Sequence, residues 1–203
     1  MSTRKQVIIV DDDPMKAYVT NQAATVDHCI RTFLSNVYNK NLIGLDTERS
    51  MIDPNDPRKR TRIAILQLHD GDDCVIIQLP YLDSMPISLL NFLRSADYTF
   101  IGLGIKENVT RLEKEYGLVC KNVIELGELA ATVKRDKTLL ACGLAELAKK
   151  VDKLRFFKPS TVFEDWGEQN LSDRQVKHAT LNVYTYFRLG IKLLCGEYNW
   201  GIK

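Results

Sequence analysis

Residues 42–48 read LIGLDTE, an apolar run that ends in two acidic residues separated by one position. The apolar run predicts a buried β-strand over 42–46. Side chains two positions apart on a strand point to the same side, so Asp46 and Glu48 share a face with Gly44. Two neighbouring carboxylates on a buried strand repel each other unless a cation lies between them, and carboxylate oxygens suit a hard divalent metal. The alternative is that both acids lie at a fraying strand end and face the solvent.

The segments around this strand alternate between strand and helix patterns. Residues 6–21 predict a hairpin of strands 6–10 and 17–21, which helix 25–38 follows. Further on, DGDD separates two apolar runs, which indicates a second hairpin. Ser172 and Gln175 form a capping box that marks the start of the last helix. The predicted elements after residue 48 are strands 63–70, 74–79 and 99–105, and helices 86–96, 107–116, 125–132, 139–151 and 173–195. This order predicts an α/β fold with a mixed sheet.

The composition is that of an ordinary globular domain. Of the 203 residues, 45% are hydrophobic and 27% are charged, and the net charge is +2. We therefore expect a single domain over residues 1–203, without an overall electrostatic attraction to nucleic acid. The five cysteines lack a metal-binding spacing, which is typical of reduced thiols in an intracellular protein of the nucleus or cytoplasm. Without a secretory leader or an apolar run of about 18 residues, we expect no membrane partner.

A phospho-accepting receiver domain is another source of such acidic residues. Residues 7–16 read VIIVDDDPMK, Asp46 ends the next apolar strand, and FFKP at 156–159 resembles the Lys-Pro near a receiver's end. The spacing excludes this class, because Lys158 follows Asp46 by 112 residues, about the length of a whole receiver. The hairpin predicted at 63–79 is also foreign to a strictly alternating βα fold. We interpret DDDP as a turn.

Several stretches resemble, in order and spacing, the DEDD superfamily of 3′–5′ exonucleases, in particular its Werner-type and RNase D branch. They lie within about residues 40–195 and read LIGLDTE, IAILQLHDGDDCVIIQL, FIGLGIKENVTRLEKEYGL, GLAELAKKV, LSDRQ and HATLNVYTYFRLG. Lys158, Ser160 and Trp166 also match the stretch that precedes the last helix in that family, although Trp166 can equally be a core residue. The resemblance implies an RNase H-like fold, in which α-helices flank a central mixed β-sheet.

The resemblance assigns a residue to each position of the family's metal site. The first motif, DxE, is Asp46 and Glu48, and the second motif places Asn108 after GLGIKE. The third motif, Y-x-x-x-D, is represented by His178 and Asn182, so that two of the four acids are amides and the tyrosine is a histidine. Because residues four apart share a helical face, we expect His178 and Asn182 to line a cleft. The stripe expected to pack in the core is formed by Val176, Val183, Phe187 and Leu194.

The family's reaction is two-metal phosphodiester hydrolysis, and the resemblance implies that Asp46 bridges both ions. Glu48 and Asn182 would hold the ion that activates water, and Asn108 would help to hold the other. Because two carboxylates stand where the family has four, at least one ion should bind far more weakly. We therefore expect one divalent ion rather than two, either Mg²⁺ or Mn²⁺. Of these, Mn²⁺ accepts nitrogen and carbonyl ligands more readily than Mg²⁺ does. His178 is either a general base or a histidine on the helix surface.

Basic residues near the first and third motifs are candidates for nucleic-acid binding. The candidates are Arg58, Lys59, Arg60, Arg62 and Lys158. Four of them lie in the predicted loop 51–62, close enough to the first motif to contact phosphates at the cleft edge. A solvated basic loop is the alternative. The sequence does not distinguish DNA from RNA, and ring-forming members of the family make a homo-oligomer worth testing.

Two functional hypotheses remain. In the first, the chain is a weakened or Mn²⁺-preferring 3′–5′ exonuclease that works through Asp46, Glu48 and His178, with Asn108 and Asn182 as neutral ligands. In the second, catalysis is lost and the chain is a nucleic-acid-binding or assembly module. Metal affinity separates the two, because only the first requires a site that Asp46→Ala would empty.

Overall fold

The structure is a computed structural model that describes residues 3–10, 13–38, 40–51, 61–153 and 164–196. Within these ranges the strands are β1 (Arg4–Val10), β2 (Asp13–Thr20), β3 (Leu42–Arg49), β4 (Ile63–His69), β5 (Asp73–Gln78), β6 (Thr99–Gly102) and β7 (Val123–Glu125). The helices are α1 (Ala23–Ser35), α2 (Ile87–Arg94), α3 (Ile105–Tyr116), α4 (Leu126–Lys134), α5 (Leu144–Asp152) and α6 (Asp173–Cys195), with short 3-10 helices at Leu79–Tyr81 and Lys137–Ala141. Throughout the described part of the chain, every helix is too short or too polar to cross a lipid bilayer.

The strands form one mixed sheet in the order β1-β2-β5-β4-β3-β6-β7. The pairs β1–β2, β5–β4 and β4–β3 are antiparallel, and the pairs β2–β5, β3–β6 and β6–β7 are parallel. Helices α1, α2 and α3 pack on one face of the sheet, and α4, α5 and α6 pack on the other. The predicted α/β architecture, a central mixed sheet flanked by helices, is therefore confirmed.

Helix α6 lies across the strands that carry the first motif. It begins with the predicted capping box. The Ser172 hydroxyl accepts a hydrogen bond from the backbone N–H of Gln175, and the side-chain oxygen of Gln175 accepts one from the backbone N–H of Ser172. At Gly44 of β3 the helix approaches so closely that an added Cβ would lie 2.2 Å from the Val183 carbonyl oxygen. The prediction that Leu194 belongs to the core stripe is wrong, because Leu194 lies in the last turn of the helix and is exposed.

Several element boundaries differ from the sequence-based prediction, three of them between β6 and α5. The helix predicted over 139–151 is interrupted, because Cys142 (φ −76°, ψ 135°) and Gly143 (φ −73°, ψ 169°) both adopt an extended backbone between the 3-10 helix and α5. The segment 123–125, which includes the residue predicted to start a helix, pairs with β6 as a short strand. The strand predicted over 99–105 ends at Gly102, and Gly104 begins α3 with a positive φ of 69° that favours glycine.

Strand β3 is longer than the prediction of 42–46. Pairing with β4 continues to Arg49, with a register shift between Glu48 and Arg49. Glu48 is therefore held within the sheet and not in the following loop. The first hairpin is confirmed as β1 and β2. The interpretation of DDDP as a turn is wrong for Asp13 and Pro14, which pair with β1 as the first residues of β2, while Asp11, Asp12 and FFKP lie outside the described residues.

Candidate active site

One cleft brings together the side chains that the three motifs assign to the metal site. Asp46 and Glu48 reach it from β3, Asn108 from α3, and His178 and Asn182 from α6. The cleft has a volume of about 660 Å³ and is also lined by Thr47, Leu103, Gly143–Glu146, Trp166 and Tyr186. Its position follows from the close contact at Gly44, which sets α6 directly over β3.

The Asp46 carboxylate is buried and fully hydrogen-bonded. Its Oδ1 accepts from the Thr47 amide (2.9 Å) and from Asn108 Nδ2 (3.1 Å). Its Oδ2 accepts from Asn182 Nδ2 (3.3 Å) and from the Tyr186 hydroxyl (3.0 Å). Asp46 is 7% exposed, so the alternative of a frayed, solvent-facing strand end is wrong for this residue. Both amides that replace family acids thus donate hydrogen bonds to the carboxylate that would bridge two cations.

Burial disfavours the ionised forms of both carboxyl groups. Burial raises the pKa of Asp46 to about 6, although the backbone hydrogen bond from Thr47 and the side-chain hydrogen bonds from Tyr186, Asn182 and Asn108 all act to lower it. Burial, with a smaller contribution from the Asp46 charge, raises the pKa of Glu48 to about 8. At neutral pH the pair therefore holds a proton that a bound cation would displace.

His178 lies inside the cleft next to Glu48. Its Nε2 is 3.8 Å from Glu48 Oε1 and 3.3 Å from Asn182 Nδ2. The imidazole ring packs against Trp166, with 5.9 Å between the ring centroids. His178 and Trp166 are both buried, so the alternative of a surface histidine is wrong and Trp166 lines the cleft while it packs in the core.

The donor set fits a hard divalent cation. The Asp46 and Glu48 carboxylates lie on the same side of β3 and face the cleft, and they supply the oxygen ligands that Mg²⁺ and Mn²⁺ bind. A second ion would need the charge of two further carboxylates, where Asn108 and Asn182 offer neutral amides. Among the described residues, no group of three or more His, Cys, Asp or Glu side chains is arranged to hold a metal ion. The third carboxylate that lines the cleft, Glu146, is ion-paired with Lys150 (2.8 Å), which leaves Asp46 and Glu48 as the carboxylates available to a cation.

Two residues at the site were not identified from the sequence. Tyr186 lies one helical turn beyond Asn182 and donates a hydrogen bond to Asp46. Its spacing of four residues from Asn182, which places both on one helical face, was the signal in the sequence. Gln67 lies directly opposite Asp46 in the β3–β4 ladder, so its side chain is on the same side of the sheet. Gln67 is fully buried, and neither polar atom of its amide has a hydrogen-bond partner. A polar residue inside the apolar run IAILQLH was the signal for Gln67.

Of the basic candidates, only Arg62 lies in the described part of the chain, and Arg58, Lys59, Arg60 and Lys158 lie outside it. The Arg62 carbonyl accepts from the Ser50 amide (3.0 Å), which places Arg62 beside the end of β3. Its exposed guanidinium lies 5.2 Å from the centre of the Tyr116 ring. Arg62 is therefore near the cleft but does not line it.

The sequence model of the 3′–5′ exonuclease family matches residues 22–194. The Arabidopsis thaliana protein RISC-interacting clearing 3′-5′ exoribonuclease 1 is 26% identical over 115 residues, which cover 56% of this chain and 57% of that protein. The human exonuclease 3′-5′ domain-containing protein 2 is 24% identical over 189 residues, 88% of this chain. The chain spans 29% of the human protein and thus only part of the length of these relatives.

Solved structures share the fold. Escherichia coli RNase D superposes with a TM-score of 0.70 at 20% identity, and covers 88% of this chain and 44% of its own. Brucella melitensis NrnC bound to pGG gives 0.61 at 21% identity, over 88% of this chain and 79% of its own. The EXD2 exonuclease domain soaked in Mn and dGMP gives 0.50 at 23% identity, over 88% of each chain. This chain belongs to the 3′–5′ exonuclease family of the DEDD superfamily and has its RNase H-like fold.

Proposed function

We propose that this chain removes nucleotides from the 3′ ends of DNA or RNA by metal-dependent hydrolysis, with a single divalent ion and more slowly than relatives with four acids. The observation that carries the proposal is the pair Asp46 and Glu48 at the floor of one cleft, with His178 Nε2 3.8 Å from Glu48. Membership of the exonuclease family supports the reaction class. The EXD2 domain soaked in Mn and dGMP supports the cofactor and ligand classes.

Asp46 and Glu48 would hold the ion, which would supply the positive charge that activates a water molecule and stabilises the leaving oxygen. Asn182 and Tyr186 fix the orientation of the Asp46 carboxylate through their hydrogen bonds to Oδ2. His178 presents an imidazole beside Glu48, where Nε2 can accept the proton of the attacking water. Trp166 packs on that imidazole and limits its rotation.

The missing charges are the reason to expect a slow reaction. A pair of unit charges about 4 Å apart is worth roughly 4 kcal/mol at an effective dielectric near 20. Asn108 and Asn182 each remove one such charge from the surroundings of a divalent ion. The loss weakens the binding of the ion next to Asn108 most, because the only charged ligand left to that ion is Asp46. Mn²⁺ should support the reaction better than Mg²⁺, since it accepts amide and imidazole ligands more readily.

A nucleic-acid-binding module without hydrolysis is the second candidate. The hydrogen bonds to Asp46 favour it, because Thr47, Asn108, Asn182 and Tyr186 satisfy both carboxylate oxygens without a cation. A bound ion would have to compete with these donors. The cleft would then retain its shape and its capacity to receive a strand end, while the chemistry would be lost.

The test is the digestion of 5′-labelled single-stranded RNA and DNA with Mn²⁺, Mg²⁺ or EDTA. We expect a ladder of 3′-shortened products that requires metal, is stronger with Mn²⁺, and disappears in Asp46→Ala/Glu48→Ala. Glu113→Ala, which removes an exposed carboxylate outside the cleft, is the matched control and should digest like the parent.

A ladder that persists in the double variant would be the signature of a contaminating nuclease and would contradict the proposal. Binding of the labelled strands without any shortening, measured by fluorescence anisotropy, would instead select the second candidate. The nucleic acid that is shortened or bound more readily identifies the substrate class.

A further inference from the structure

Gln67 of β4 is buried in a way that does not stabilise the fold. Its side chain is 0% exposed, and neither Oε1 nor Nε2 has a hydrogen-bond partner. A buried amide without a partner destabilises a protein, whereas an apolar side chain of similar size would stabilise it at the same position. Gln78 of β5, on the same side of the sheet, shows the usual arrangement, because its Nε2 donates to the carbonyls of Glu168 (3.2 Å) and Gln169 (3.0 Å).

Gln67 lies beside Asp46 but behind the cleft. The two residues are directly opposite each other in the β3–β4 ladder, so their Cβ atoms are about 4.5–5.5 Å apart on one side of the sheet. A glutamine side chain is long enough to bring its amide to a carboxylate across this separation. Gln67 is not one of the described residues that line the cleft. Its amide therefore approaches Asp46 from the interior of the protein, and not from the side on which a cation would enter.

The acceptor sites of Asp46 are all in use. An ionised carboxylate has about four lone-pair sites, and four donors bond to its two oxygens: the Thr47 amide, Asn108, Asn182 and Tyr186. This explains why the Gln67 amide has no partner although a carboxylate lies next to it. The side-chain amides of Asn108 and Asn182 both line the cleft. Their N–H groups point at the carboxylate that a cation would approach, so the positive charge of the cation would repel both.

We propose that Gln67 is a positioning residue of this site, and that its Nε2 donates a hydrogen bond to Asp46 when a divalent cation is bound. The inference rests on the proposed function, because it requires a cation at Asp46 and Glu48. When Asn108 and Asn182 turn their N–H groups away, two acceptor sites of Asp46 are released, and one cation takes only one of them. Gln67 fills the other from the interior and keeps the carboxylate directed toward the cleft. The burial of Gln67 thus favours cation binding at the expense of stability without metal.

The test substitutes Gln67 by methionine, which has a similar length and no amide. Without metal, the melting temperature of Gln67→Met should rise by about 2–4 °C, because an unpaired buried amide is removed. The affinity for Mn²⁺, measured by calorimetric titration, should fall by roughly tenfold or more, because a hydrogen bond to a charged group is lost.

Gln78→Met is the matched control and should behave in the opposite way. Gln78 is buried like Gln67, but both of its hydrogen bonds are present without metal. The control should therefore have a lower melting temperature than the parent and an unchanged affinity for Mn²⁺.

A second measurement uses the parent and does not depend on the folding of a variant. Nuclear magnetic resonance of the side-chain amides follows a titration with Mg²⁺, which is diamagnetic. The Nε2 protons of Gln67 should shift downfield as the hydrogen bond to Asp46 forms, whereas those of Gln78 should not move.

Three outcomes would overturn the inference while the parent still binds the ion and the proposed function stands. A lower melting temperature in Gln67→Met would mean that Gln67 is already hydrogen-bonded without metal. An affinity for Mn²⁺ equal to that of the parent, or Gln67 resonances that do not respond to Mg²⁺, would mean that Gln67 does not act on Asp46. A parent that binds neither ion would overturn the proposed function and this inference together.

Discussion

Substitution of Gly44 by alanine tests whether the contact between β3 and α6 builds the site. The new Cβ would lie 2.2 Å from the Val183 carbonyl oxygen and 3.0 Å from its carbonyl carbon. These are backbone atoms of a buried helix, so a rotamer change cannot relieve the overlap, and α6 must move by about 1 Å to reach ordinary contact distance. Overpacking of this kind costs roughly 1–3 kcal/mol.

The same movement stretches the hydrogen bonds that α6 donates to the Asp46 carboxylate. Asn182 and Tyr186 make these bonds at 3.3 and 3.0 Å. Hydrogen bonds to a charged group contribute about 1.5–3 kcal/mol each. With partial loss of both, we expect the free energy of unfolding to fall by about 3–6 kcal/mol in total. This is a large part of the roughly 5–15 kcal/mol that stabilises a typical domain.

Guanidinium denaturation followed by tryptophan fluorescence measures this loss. Gly143→Ala is the matched control, because Gly143 has an ordinary φ of −73° and no atom within 4 Å of an added Cβ. The control should change the free energy of unfolding by less than about 1 kcal/mol. Equal stabilities of the two variants would refute the reasoning, because α6 would then not be held against β3 at Gly44.

Three further predictions concern single side chains. Tyr186→Phe removes a donor to Asp46, so the pKa of Asp46 should rise further above its usual range and the affinity for Mn²⁺ should fall, as a calorimetric titration would measure. Because burial raises the pKa of Glu48 to about 8, its contribution to metal-free stability is present below about pH 4.5 and is lost as the pH rises through about 8. Between pH 5 and 8, the melting temperature without metal should therefore fall more in the parent than in Glu48→Gln. Over the same pH range, the increase in melting temperature on addition of Mn²⁺ should grow in the parent and not in Glu48→Gln. Asp152→Asn weakens the bond to Arg188 Nε, now 2.8 Å long, and should lower the free energy of unfolding by about 1–3 kcal/mol in urea titrations; an unchanged value would show that this ion pair is not stabilising.

The sequence was sufficient to predict the elements that local patterns control. The apolar run before Asp46, the DGDD turn and the capping box at Ser172 each depend on residues close together in the chain, and the structure has all three. The helix predicted over 139–151 was wrong at Cys142 and Gly143, because two extended residues interrupt a pattern that is otherwise helical.

The details of the site depend on contacts between residues far apart in the chain. The register of β3 on β4 places Gln67 beside Asp46, and the approach of α6 to Gly44 brings Tyr186 to the same carboxylate. The direction of the Asn108 and Asn182 amides is likewise a tertiary property. The sequence predicted neutral ligands at these two positions, and the structure adds that both amides donate to Asp46.

A count of bound Mn²⁺ ions tests the central claim, that two carboxylates hold one ion where four would hold two. Titration followed by electron paramagnetic resonance should give one tightly bound Mn²⁺ per chain in the parent, none in Asp46→Ala/Glu48→Ala, and a second in Asn108→Asp/Asn182→Asp. A parent that binds no ion, or two ions, would contradict the account. No bound ion would indicate a cleft that binds nucleic acid without metal. Two bound ions would indicate a site in which amides replace carboxylates without loss of metal affinity.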